Sequence, residues 1–209
     1  EPQHSIAGLR DKETALIEKN DSLKSVAYEH FRKSGRKGFP IVRSNAVQAL
    51  DDADSLLSEK GYRPEIVFFD LPGTLKSDGV IKTLSQMDYI FTPVSADRFV
   101  VESALQFVMM FNDNLVTTGL AKTKDISLFW TMVDGREKTG LYDLYGKLFA
   151  ENNFRVLDTR LPDSKRFRRE PSDDRKSVFR STILPPDTSM LKGSRIRELS
   201  EEICSIING

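Results

Sequence analysis

The chain has 209 residues, 39% of them hydrophobic and 30% charged, a composition that fits one large globular domain over residues 1–209 and excludes intrinsic disorder. Thirty-one basic residues balance 31 acidic ones, so no whole-chain field draws nucleic acid or anionic membrane, and any such binding needs a local patch. A single cysteine, Cys204, and two histidines exclude an internal disulfide and a zinc cluster of the usual spacing, and the expected setting is intracellular.

From Asp11 to Lys33, residues Leu16, Ile17, Leu23, Val26, Ala27 and Phe31 recur at helical spacing and predict a helix that Gly35 and Gly38 stop. Pro40-Ile41-Val42 is a short β-like run. Ser44 and Asn45 then offer a cap to a helix reaching Leu57 and ending at Gly61. Ile66-Val67-Phe68-Phe69 is an uninterrupted apolar run, the pattern of a strand buried on both faces, and it stops abruptly at Asp70-Leu71-Pro72-Gly73. Tyr89 to Val94 predicts another strand, followed by a long helix from Arg98 to Val116 that Gly119 closes. Ile126 to Val133 predicts a strand, Leu141 to Phe149 a helix and Phe154 to Leu157 a strand. Ile196, Leu199, Ile203, Ile206 and Ile207 mark a closing amphipathic helix. No apolar run approaches the ~20 residues of a membrane-spanning helix. The alternation predicts an α/β fold, a mostly parallel sheet flanked by helices on both faces, whose strand-to-helix loops form the ligand edge.

Asp70 is the first residue with chemistry to offer. At the carboxyl end of a central strand its carboxylate is placed to serve a magnesium ion, although a strand-end aspartate also caps turns. Gly73 would let backbone approach a phosphate and change conformation. A phosphate-binding loop of the form Gly, four residues, Gly-Lys-Ser/Thr is absent; Gly140 to Gly146-Lys147-Leu148 has the wrong spacing, no hydroxyl, and lies in a predicted helix. If the protein handles nucleotides, that loop is expected upstream of Glu1. Between Arg160 and Arg180 eight basic residues face four acidic ones, a patch that either binds phosphate backbones or is a solvated loop with local ion pairs. His4 and His30 have no nucleophile to pair with, and Trp130 reads as core.

Four segments, in order, resemble the ParA/MinD group of deviant Walker-A ATPases and, within it, the ParA-like TraA proteins of conjugative transposons. Glu1-Pro2-Gln3 resembles the end of the family's second strand, and Ile66 to Gly73 resembles its Walker B strand, with Gly73 in place of a proline. Thr131-Met132-Val133-Asp134-Gly135-Arg136 resembles a Thr-Met-Tyr-Asp-x-Arg stretch, with Val156 to Pro162 as the following strand and loop. Arg195 to Ile203 resembles the closing helix with its Leu-x-x-Glu-Ile.

The resemblance implies a P-loop ATPase that binds ATP and Mg2+ and works as a homodimer in the cytoplasm. Its dimerisation would drive DNA partitioning or conjugative transfer, assisted by an activating partner protein. Asp70 would hold magnesium through water and, with Gly73, sense the γ-phosphate. Thr131, Asp134, Arg136, Leu161, Pro162 and Asp163 would lie near the nucleotide base, and Lys165, Arg166, Arg168 and Arg169 would attach the protein to non-specific DNA. Because the family's phosphate loop, activating lysine and magnesium-ligating hydroxyl precede the second strand, these 209 residues alone are expected neither to bind ATP tightly nor to hydrolyse it. A synthetase of the same superfamily and a non-catalytic DNA-binding or scaffold module are the competing readings.

Overall fold

A computed structural model of the chain describes residues 5–59, 63–71, 78–136, 140–172 and 178–209. In chain order its elements are α1 (Ser5–Lys19), α2 (Asp21–Ser34), α3 (Ala49–Ser58), α4 (Asp78–Leu84), β1 (Tyr89–Val94), α5 (Arg98–Phe111), β2 (Asp125–Trp130), α6 (Leu141–Glu151), β3 (Arg155–Val156), α7 (Thr188–Leu191) and α8 (Ile196–Asn208). They fall into two compact units: residues 1–80 with 165–192, and residues 81–164 with 193–209. No described helix is long and apolar enough to cross a membrane.

In the first unit the single helix predicted over Asp11–Lys33 is two. Asn20 interrupts it because its side chain accepts the Leu23 N–H at 3.1 Å, and asparagine competes for backbone donors better at a cap than inside a helix. Gly35, at φ 63°, closes α2 as a left-handed C-cap. Ala27 packs with Val178 and Leu184, and Ile17, Leu23 and Ile183 surround them. Glu13, 1% exposed, ties α1 to the residues near 182: its Oε2 accepts the Thr182 N–H at 2.8 Å and also the Thr182 hydroxyl. Arg10 donates to the same threonine's hydroxyl at 2.7 Å and carbonyl at 3.1 Å. Asn45 does not cap α3, whose N-cap is Gln48 with no side-chain cap bond; its side chain instead accepts the N–H groups of Val47 and Gln48 in the turn just before the helix.

The strand expected over Ile66–Phe69 is not formed. The segment has no assigned secondary structure and pairs with no strand among the described residues, and Ile66, Val67 and Phe68 are 37%, 45% and 77% exposed. A run apolar on both faces becomes a strand only between partner strands, and the sheet of the described residues consists of β1, β2 and β3 alone. Pro40–Val42 likewise joins no strand.

The second unit holds that sheet, three parallel strands in the order β1-β2-β3. Tyr89 to Val94 pair with Asp125 to Trp130 in register, and Ser127 and Leu128 pair with Arg155 and Val156. The chain is thus α/β with a small parallel sheet. Central β2 has Ile126, Ser127, Leu128 and Trp130 all buried. α5 starts at Asp97, whose carboxylate accepts the N–H groups of Phe99 and Val100. Its buried face is Val101, Ala104, Val108 and Phe111, spaced by three, four and three residues as one helix face requires; each large side chain among them contributes about 1.5–3 kcal/mol by leaving water. The helix continues as a wider π turn over Asn112–Val116 and ends near Gly119, at φ 75°. Trp130, 1% exposed, meets Tyr142 edge-on at 5.2 Å between centroids. The Tyr89 hydroxyl donates to the Ile207 carbonyl at 3.3 Å, fastening α8 to β1.

Candidate functional site

All three strands are parallel, so the segments leaving β1, β2 and β3 emerge at one edge, where α/β sheets collect ligands. The hydrogen-bond pattern does not stop with the strands. The Thr131 N–H and hydroxyl both donate to the Val94 carbonyl, at 2.8 and 3.2 Å. The Leu161 N–H donates to Trp130, the Val133 N–H to Leu161 at 3.0 Å, and the Asp163 N–H to Val133 at 3.0 Å. Val133 and Pro162 thereby form an isolated parallel bridge.

Between these pairings Met132 takes φ 53°, the left-handed region a methionine rarely enters. This ends β2 at Trp130 rather than at Val133, and it leaves the Met132 side chain 59% exposed. The loop after β3 is held by α8. Glu202 accepts the backbone N–H of Asp158 at 2.7 Å on one carboxylate oxygen and that of Thr159 at 2.9 Å on the other.

Further along the first loop Asp134 and Arg136 form a fork. The guanidinium donates through Nε at 3.0 Å and Nη2 at 2.9 Å to the two carboxylate oxygens, and the Arg136 backbone N–H adds a third bond at 2.9 Å. The side-chain bonds from Arg136, then its backbone bond, lower the Asp134 pKa from 3.8 to about 2, and the carboxylate in turn raises that of Arg136. Across the edge Arg160 lies over the Tyr142 ring, 5.4 Å from its centroid, with Asp143 3.5 Å from its Nη2. Leu161 and Pro162 are half-buried and Asp163 is exposed.

The structure therefore brings Thr131, Asp134, Arg136, Leu161, Pro162 and Asp163 onto two loops that hydrogen-bond to each other. Set against family models, curated proteins and solved structures, the chain matches none. Sequence reasoning missed Glu202, although it is the glutamate of the Leu-x-x-Glu-Ile in the closing helix; the motif was visible, its two amide partners were not.

The remaining predicted residues belong to the first unit. Asp70 is exposed and follows the unpaired Ile66–Phe69 segment, and Gly73 lies outside the described residues. Lys165 to Arg168 form one 3-10 turn. Within it Arg166 is half-buried, and its Nη1 donates to the carbonyls of Met190 at 2.9 Å and Lys192 at 2.5 Å, so it closes the end of α7. Lys165, Arg168 and Arg169 are exposed. Among the described residues no group of three or more His, Cys, Asp or Glu side chains is disposed to hold a metal ion.

Proposed function

We infer that the chain belongs to an ATPase of the ParA type, whose ATP-dependent dimerisation drives DNA partitioning or conjugative transfer of a mobile element. The observation that carries this reading is the meeting of the loops after β2 and β3 at the carboxyl edge of a parallel sheet, through Val133, Leu161 and Asp163. Those are the two loops that the sequence resemblance assigns to the nucleotide base. Half-buried Leu161 and Pro162 offer apolar surface to a purine face, while Thr131 and Asp134 supply polar atoms beside it. Arg136 keeps the Asp134 carboxylate ionised and fixed in place, and Glu202 holds the second loop, so the edge is organised before a ligand arrives.

The donor set fits the base and does not fit the triphosphate. No phosphate-loop motif occurs in the 209 residues, and Asp70 is a single exposed carboxylate. Bound ATP would supply the phosphoanhydride that hydrolysis breaks. This reading requires a phosphate cradle and an activating lysine that these 209 residues do not contain, and Asp70 would act with them through Mg2+-bound water. Lys165, Arg168 and Arg169 would engage DNA phosphates by releasing counterions, in a cytoplasmic homodimer that answers to an activating partner protein.

The test is the product of the whole gene, assayed for ATP hydrolysis and, by light scattering, for dimerisation with ATP and Mg2+. Both are expected; a monomer that hydrolyses nothing contradicts the reading. A non-catalytic DNA-binding module is the second reading, favoured by the three exposed cations beside α7. DNA binding that ignores ATP, with no hydrolysis, would select it.

A further inference from the structure

The end of α2 carries a charge pattern that the nucleotide reading leaves unused. From Glu29 to Lys37 four cations, Arg32, Lys33, Arg36 and Lys37, stand against one carboxylate, and all four are exposed. Glu29 is engaged within the helix: the Arg32 guanidinium donates to its two oxygens at 3.1 and 2.8 Å, and Lys33 lies 4.0 Å from one of them. Arg36 and Lys37, past the left-handed Gly35, have no ion pair among the described residues. Arg43, Arg98, Arg136, Arg160 and Arg180, by contrast, each have a carboxylate of this chain beside them. Arg32 and Lys33 complement the helix dipole from the last turn. The two cations beyond that turn add self-repulsion, which an anion from outside the chain relieves.

The independent observation is shape. Beside this run the surface is concave: Ser25, Val26, His30, Lys33 and Pro185 line an open depression of about 590 Å3. Its two sides are packed together, because Ala27 of α2 meets Val178 and Leu184 just before Pro185. Lys33 belongs both to the depression and to the cationic run, and the Ser25 hydroxyl makes no hydrogen bond among the described residues. Lysine, arginine and serine are the usual donors to phosphate oxygens along a nucleic-acid backbone. A lipid surface instead takes up apolar side chains that project into it. Here Val26 and Pro185 line the hollow, and Phe39, just beyond the run, is held by Arg10, whose guanidinium lies 4.8 Å from the ring centroid and donates to the Phe39 carbonyl at 3.1 Å.

We propose that this run and the depression beside it dock the phosphate backbone of DNA, with Lys33, Arg36 and Lys37 as the phosphate contacts. The choice of DNA rests on the reading above; the residues are different ones, and no ATP is required.

The test titrates a fluorescein-labelled DNA, as a short duplex and as one of its strands, with the 209-residue chain without ATP, reading anisotropy at several salt concentrations. Replacing Lys33, Arg36 and Lys37 together by alanine should weaken binding and make the slope of log K against log salt shallower, by about 0.9 for each phosphate released from the duplex and about 0.7 from the single strand. Alanine at Lys122, Lys147 and Arg197, exposed cations of the second unit, should leave the slope as it was. An unchanged slope in the first variant would overturn the proposal, as would equal losses in the two variants, or sedimentation with phosphatidylserine vesicles by a chain that binds neither DNA. A slope that responds only to Lys165, Arg168 and Arg169 keeps the DNA-binding reading and removes this surface. A slope that responds to the present set, in a gene product that hydrolyses no ATP, keeps this surface and removes the ATPase.

Discussion

Val133 and Pro162 pair in parallel three and six residues beyond the ends of β2 and β3, so two loops that would otherwise diverge leave the sheet as one platform. The Val133 N–H to Leu161 and the Asp163 N–H to Val133, each 3.0 Å, are its cross-ties. Val133→Pro removes the first donor. Removing such a bond costs about 1–3 kcal/mol where the acceptor is left unpaired, and the Asp163 amide should exchange with solvent faster. Hydrogen exchange followed by mass spectrometry reads both loops; unaltered exchange in residues 157–163 would show that another interaction holds them.

Asp134 provides a pH test. Its folded-state pKa is lowered from 3.8 to about 2, so the stabilisation it brings is fully present above about pH 4 and is lost as pH falls through about 2. Carbon-detected NMR of its side chain should give a midpoint close to the lower value, and Arg136→Ala should return that midpoint toward the ordinary carboxylate range. A wild-type midpoint near 4 would mean that the fork does not persist in solution.

Glu202 predicts a selective loss. Glu202→Ala leaves the N–H groups of Asp158 and Thr159 without their acceptor, and Thr159 is 4% exposed. Orphaned donors of this kind cost on the order of 1–3 kcal/mol each when water cannot reach them. Urea unfolding should show that loss, and Glu202→Gln, which keeps one carbonyl oxygen, should recover part of it. Equal effects of the two substitutions would argue against the clamp.

The basic turn separates into two roles. Replacing Lys165, Arg168 and Arg169 together by alanine should reduce the salt slope of DNA binding by about 0.9 for each DNA phosphate no longer neutralised, with little change in stability. Arg166→Ala should do the opposite, destabilising α7 by leaving the Met190 and Lys192 carbonyls unpaired while the salt slope stays. Filter binding at several salt concentrations, with thermal unfolding alongside, distinguishes them.

Elements carrying their own boundary signals were legible in the sequence. β1 has the predicted bounds, and α5 begins beside Asp97, a residue whose short carboxylate caps a helix in any context. α6 and α8 follow from apolar spacing alone. What depends on a distant partner was not legible. Ile66–Phe69 has strand composition without strand neighbours. α4 was missed because it has seven residues and starts with Asp78-Gly79; only the fold shows that a Cβ on Gly79 would lie 2.7 Å from the Val47 nitrogen, where a side chain does not fit. In the candidate site the sequence named residues on the two loops that the fold ties together, but not Glu202, which holds the second of them, nor the left-handed Met132 between their pairings, since a backbone angle leaves no mark in a methionine.

Photoaffinity labelling of the whole gene's product with 8-azido-ATP, followed by peptide mapping, tests the nucleotide reading most directly. ATP-displaceable label is predicted in residues 131–136 or 157–163, and it should disappear when Val133→Pro separates the two loops. Displaceable label confined to peptides outside both segments, or none at all, would contradict that reading.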